Sequence, residues 1–120
     1  MELITLPLPP SANRYWRQGR DGRVYVSQEA QDYKQLVRLT LVRRDLIAGD
    51  VMLEVKIYRK AKRGDIDNFL KVLFDAMQGV VYENDKQVKC ISVFLLDDPK
   101  NPRVEVMVGK VMSNIVENVE

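Results

Sequence analysis

The residues best suited to chemistry lie in Gly64-Asp65-Ile66-Asp67-Asn68-Phe69-Leu70-Lys71, where a strand ending in a basic run gives way to a helix. Two carboxylates stand one residue apart there. On a regular helix such neighbours point about 200° away from each other, so they converge on one ion only if Asp65 sits in the turn ahead of the helix. Gly64 makes that turn easy. Asp85, in Tyr82-Glu83-Asn84-Asp85, is the candidate third carboxylate. Oxygen donors of this kind suit magnesium, with manganese as a substitute, and leave coordination positions for water and phosphate oxygens. Hydrolysis of a phosphodiester fits such a constellation. The chain contains no histidine, which removes the commonest general base and zinc ligand and leaves carboxylates, amines and hydroxyls to do the chemistry.

The same residues admit a structural reading, in which Asp65 caps the helix and Asp67 is a first-turn acid favoured by the helix dipole. Asp67, Lys71 and Asp75 are spaced four apart and share one helix face. They form either a surface ion-pair ladder or a metal ligand, a phosphate-binding amine and a carboxylate that orients the amine. Asn68 and Asp75 are the candidates for such support from behind the reacting groups.

Two further segments carry charge suited to a polyanion. Asn13, Arg14, Tyr15, Trp16, Arg17 and Arg20 lie in the loop after the first strand and combine phosphate contacts with rings for base stacking. The alternative is a solvated loop with Trp16 tucked into the core. Lys60, Lys62 and Arg63 form a second run leading directly to Asp65. A bare charge run is usually a solvated face, but this one adjoins the acidic cluster.

The elements that must position these groups follow from periodicity. Glu2 to Leu8 reads as a strand stopped by prolines at 7, 9 and 10, and residues 11–26 as a loop with a short extended piece at Val24 to Val26. Ser27 caps a helix carrying Ala30, Tyr33, Val37 and Leu41 at helical spacing and ending at Gly49. Val51 to Arg59 alternates as a strand. Ile66, Phe69, Leu70, Leu73, Met77 and Val80 make the stripe of a second helix that stops near Gly79. Strands at Val88 to Leu96 and Arg103 to Val108 are joined by the turn-rich Asp97 to Pro102, which predicts an antiparallel C-terminal hairpin. The order β-α-β-α-β-β gives an α/β (α+β) fold with helices packed on a mixed sheet.

At 120 residues and 46% hydrophobic content the chain suffices for one domain, 1–120, with residues 111–120 a polar tail prone to fray. A net charge of only +2 means that attraction to nucleic acid depends on clustering. No stretch approaches the roughly 18 apolar residues of a membrane span, and the start lacks the basic residues of a signal peptide, so a cytoplasmic protein without membrane contact is expected. Cys90 is the only cysteine; its neighbours Val88 and Ser92 suggest a buried strand position, and core packing is its expected role.

Three segments together resemble the RusA family of Holliday junction resolvases: Leu6-Pro7-Leu8-Pro9-Pro10-Ser11-Ala12-Asn13-Arg14-Tyr15, then Asp65 to Lys71 with Phe74-Asp75-Ala76, and Asn84-Asp85-Lys86-Gln87-Val88. The resemblance covers nearly the whole chain. It implies that Asp65, Asp67 and Asp85 are catalytic acids binding magnesium, with Lys71 an essential basic residue beside them. It also implies a homodimer that nicks opposed strands of branched DNA, a four-way junction, symmetrically. The family often has two aspartates where this chain has Asn84 and Asp85, so only Asp85 is carried over. Two rival readings remain: a non-catalytic nucleic-acid-binding module, and a metal-dependent nuclease acting on other branched or single-stranded DNA.

Overall fold

The computed structural model describes residues 1–10, 16–42 and 44–111, and for Trp16 and Arg17 the backbone alone. Its elements are β1 (Glu2–Leu6), β2 (Trp16–Gln18), β3 (Val24–Val26), α1 (Gln28–Thr40), β4 (Val51–Arg59), α2 (Ile66–Met77), β5 (Val88–Asp97) and β6 (Arg103–Lys110), with a 3-10 turn at Asp85–Gln87. Strands β1, β6, β4 and β5 form one mixed sheet in that order. The strand β4 runs parallel to β5 and antiparallel to β6.

The alternation in β4 places Val51, Leu53, Val55 and Ile57 on the buried face, level with Val104, Val106 and Val108 of β6. Phe69, Val72, Leu73, Ala76 and Met77 of α2 and Ala30, Tyr33 and Val37 of α1 cover that face. Fully burying one such side chain contributes roughly 1.5–3 kcal/mol, so this single helix-on-sheet layer is the main source of stability. Ile66, expected on the α2 stripe, is 37% exposed, and Val72 and Ala76 take the buried places instead. Ser27 caps α1 as its type predicts, its Oγ accepting from the Ala30 amide at 3.2 Å.

Three expectations are corrected. First, β5 and β6 do not form a hairpin: β4 lies between them. The short connection of residues 98–102 steps across the end of β4, where the Asp98 amide donates to the Arg59 carbonyl at 2.9 Å. Arg103 holds the far side, paired with Asp98 at 2.9 Å and Glu105 at 3.0 Å and stacked 3.8 Å above the Tyr58 ring. The turn residues do reverse the chain, but a reversal does not say whether the strands it joins are neighbours. Second, α1 ends at Thr40 and not at Gly49, because its apolar stripe runs out at Leu41 and the positions one helical turn further on, Arg44 and Asp45, are charged. Third, the extended piece expected at Val24 to Val26 is present as β3, but it is not isolated in a loop: it pairs antiparallel with β2, with Arg17 level with Tyr25. Cys90 does lie in a strand, but half-buried, paired with Met52 on the face away from the helices.

Candidate active site

Three constraints set the turn from β4 into α2. Gly64 has φ +80°, and a Cβ there would lie 2.9 Å from the Phe69 ring, so both backbone and packing call for glycine. Arg59, at the end of β4, donates to the Gly64 carbonyl at 3.1 Å while its Nε bonds Asp97 at 2.8 Å. Asp65 then stands in extended backbone just ahead of the helix, and its Oδ1 accepts from the Asn68 amide at 3.0 Å. The required turn position for Asp65 is therefore present. Asn68 supports Asp65 through its main chain. Asp67 lies one residue into α2, largely exposed, and pairs with Lys71 at 3.4 Å. At such exposure the pair contributes about 0.5 kcal/mol or less, so its ions remain available to a ligand.

The basic run meets this corner. Lys60, Lys62 and Arg63 are exposed in the turn between β4 and α2. Lys60 and Arg63 also border an open cleft of about 1030 Å³ that reaches Tyr33, Leu36 and Phe69. Arg20 is exposed in the turn of the β2–β3 hairpin, which also displays Tyr25. Asn13, Arg14 and Tyr15 lie outside the described residues, as do the side chains of Trp16 and Arg17.

Asp85 is elsewhere. Because β4 and β5 are parallel, with Val51 level with Val88 and Arg59 with Asp97, the residues just before β5 lie at the opposite end of the sheet from Asp65. The twelve-residue α2 separates the two ends, about 18 Å at the helical rise. Asp85 opens the 3-10 turn and its amide donates to Gln78 Oε1 at 3.2 Å, beyond the α2 C-terminus. Its pKa is raised by desolvation first and then by Asp75; attraction to the Tyr82 hydroxyl opposes the shift. The Tyr82 hydroxyl itself is buried without a hydrogen-bond partner of good geometry, and burial, with Asp85 adding to it, holds it protonated. Asp75 is close to Asp85 and pairs with Lys34 at 2.8 Å. Among the described residues, no three carboxylates of one chain gather around a common point suited to a metal.

A residue not singled out from the sequence holds the Asp85 turn. The Gln87 Oε1 accepts from the amides of Glu83 and Asn84, each at 2.9 Å, and its Nε2 donates to the carbonyls of Ile47 and Gly49 at 2.8 and 2.9 Å. Asn84 closes a capping box with it through the Lys86 amide side. Asn84 thus has a structural task at a position where an aspartate could perform it equally well. The asparagine-to-glutamine spacing of a capping box was the available signal.

Residues 7–109 match the family described as Endodeoxyribonuclease RusA. The chain belongs to the RusA family. It is 34% identical over 111 residues to the crossover junction endodeoxyribonuclease RusA of Escherichia coli strain K12, covering 88% of this chain and 91% of that protein. The RusA proteins of Shigella sonnei and of Enterobacteria phage 82 are each 33% identical over the same shares. The family is one of endodeoxyribonucleases, and within one chain the corner at Asp65 and the turn at Asp85 stand at opposite ends of the sheet.

Proposed function

We propose that this RusA-family protein is a structure-selective endodeoxyribonuclease that resolves four-way DNA junctions by divalent-metal-dependent hydrolysis. In this reading it acts as a homodimer making paired nicks, in recombination and repair of cytoplasmic DNA. The observation that carries the reading is the corner at the start of α2: two exposed aspartates, one of them ahead of the helix, at the end of an exposed basic turn. The donor set suits a hard cation, since the candidate ligands are all carboxylates.

Asp65 and Asp67 would hold magnesium, or manganese in its place, together with one Asp85. A divalent ion bound there supplies an acidified water and neutralises charge on the phosphate and leaving oxygen. Lys60, Lys62 and Arg63 hold the DNA backbone against this corner. Lys71, within reach of Asp67, offers its ammonium to a phosphate oxygen. On the β2–β3 hairpin, Arg20 contacts phosphate and Tyr25 offers a stacking face.

In this reading the third carboxylate comes from a second copy. Two α2 helices related by a two-fold axis and lying antiparallel bring Asp85 of each chain to the Asp65 end of the other. Two equivalent sites then face two equivalent strands, which accounts for symmetric nicking. The capping bond of Asp65 and the ion pair of Asp67 also favour a second reading, a nucleic-acid-binding module without catalysis. A synthetic four-way junction and a matched linear duplex, each incubated with magnesium and with chelator, separate the two. Paired, magnesium-dependent nicks on the junction alone are expected; binding in every condition without cleavage would sink the nuclease reading.

A further inference from the structure

The outer edge of β5 carries features that solvent-facing strands ordinarily avoid. It is ten residues long, contains no proline, and its irregularity is confined to the pairing near Val51 and Met52 at its start. Among the described residues nothing pairs with its outer side. Ile91, Phe94 and Leu96 are 42%, 47% and 39% exposed. Long, apolar edges template pairing with another strand unless they are shortened, charged or covered. At the other edge of the sheet, β1 has only five residues and is followed at once by Pro7.

The β5 sequence is complementary to itself when reversed. With Val93 on a two-fold axis, Ile91 stands opposite Leu95 of a second copy, Ser92 opposite Phe94 and Cys90 opposite Leu96. Lys89 stands opposite Asp97, twice by symmetry. Opposite charges in directly facing positions stabilise an antiparallel pair, and like charges oppose it. A separate criterion selects the same register. Asp97 is level with Arg59, and Asp85 precedes Lys89 by four residues. The second copy's Asp85, at the head of its 3-10 turn, therefore lies beyond the end of β4, on the side of the turn that carries Asp65. A two-fold axis normal to the sheet also places both helix layers on one face, with the two α2 helices antiparallel.

We propose that β5 pairs antiparallel with β5 of a second copy, in the register centred on Val93, to form one continuous sheet across a dimer. The proposal rests on the homodimer reading given above and adds the surface and register through which it forms. It is tested by cysteine placement in a Cys90→Ser background. Residues facing each other across the axis have Cα atoms about 4.5–5.5 Å apart, within disulfide range. Ile91 and its own counterpart are offset by four residues, about 13 Å, which is out of range.

Oxidation is expected to convert Val93→Cys to a covalent dimer on a non-reducing gel and to leave Ile91→Cys monomeric. Because Val93 faces the helix layer, Ser92→Cys/Phe94→Cys on the opposite face serves as a second probe should Val93→Cys fail to fold. A protein that sediments as a dimer but crosslinks through neither probe, or one that sediments as a monomer, overturns the proposal. Junction cleavage by the wild-type chain is read in parallel. Crosslinking without cleavage leaves the edge pairing standing and removes the resolvase reading, whereas cleavage without crosslinking does the reverse.

Discussion

At Asp65 one oxygen already holds the Asn68 amide, so capping and metal binding are separable by substitution. Asparagine caps about as well as aspartate, whereas alanine costs about 1 kcal/mol. Asp65→Asn should therefore keep the wild-type melting temperature and lose cleavage, while Asp65→Ala loses both; thermal melts beside a junction assay decide it. Wild-type cleavage by Asp65→Asn would reduce the residue to a cap. For Asp67→Asn, the exposure of the pair with Lys71 limits the stability change to about 0.5 kcal/mol. Cleavage should collapse while junction affinity holds or tightens, as measured by gel shift in chelator. Gly64→Ala should cost about 2 kcal/mol, because a left-handed backbone and a ring at 2.9 Å act together. At Asp85 the raised pKa means that the folded state disfavours the charged form. That cost is absent in acid, where the carboxyl is protonated, and sets in as pH rises through its raised titration range. Asp85→Asn in chelator should thus raise the melting temperature at neutral pH, and the gain should vanish in acid.

The element that governs Asp85 is the turn bracketed by Gln87, whose four hydrogen bonds tie residues 83–84 to the Ile47–Gly49 segment. Gln87→Ala should cost about 2 kcal/mol. Assayed well below its melting temperature, it should also need more magnesium for half-maximal cleavage; an unchanged metal requirement would leave Gln87 a purely structural residue. Periodicity recovered the elements themselves well. The strand β4 matched at both ends, and α2 stopped where Gly79 indicated, because each has a single clear period. Where the pattern lapses it misled: Gly49 looked like the end of α1, although the last apolar position was Leu41. The corner at Asp65 was legible because a cap, a glycine and a charge run coincide in eight residues. Gln87 was harder to see, since its partners at Ile47 and Gly49 lie some forty positions away in the chain.

On the scale of the whole molecule, the strand order was the feature least accessible to sequence, and it decides which ends of the fold meet. A parallel β4–β5 pair sends Asp65 and Asp85 to opposite ends, a separation that the spacing of aspartates along the chain does not reveal. If a second copy completes the site, two inactive variants should rescue each other. Mixing Asp67→Asn with Asp85→Asn and allowing subunits to exchange leaves half of the dimers mixed. Each mixed dimer has one intact site, so roughly a quarter of the wild-type sites return. Nicks should appear on one strand per junction; no rescue after verified exchange would place all three acids in one chain. The insertion of β6 between β1 and β4 has a different consequence, for the order of events during synthesis. Glu2 pairs with Val108, so the first strand made waits for almost the last before it gains a neighbour. A ribosome-bound chain lacking β6 has neither a closed sheet nor a covered core, and such sequence-distant pairing is slow to form. The corner at Asp65 is thus assembled only after residue 110 has emerged, and a chain truncated before β6 carries every candidate acid without the scaffold to aim them.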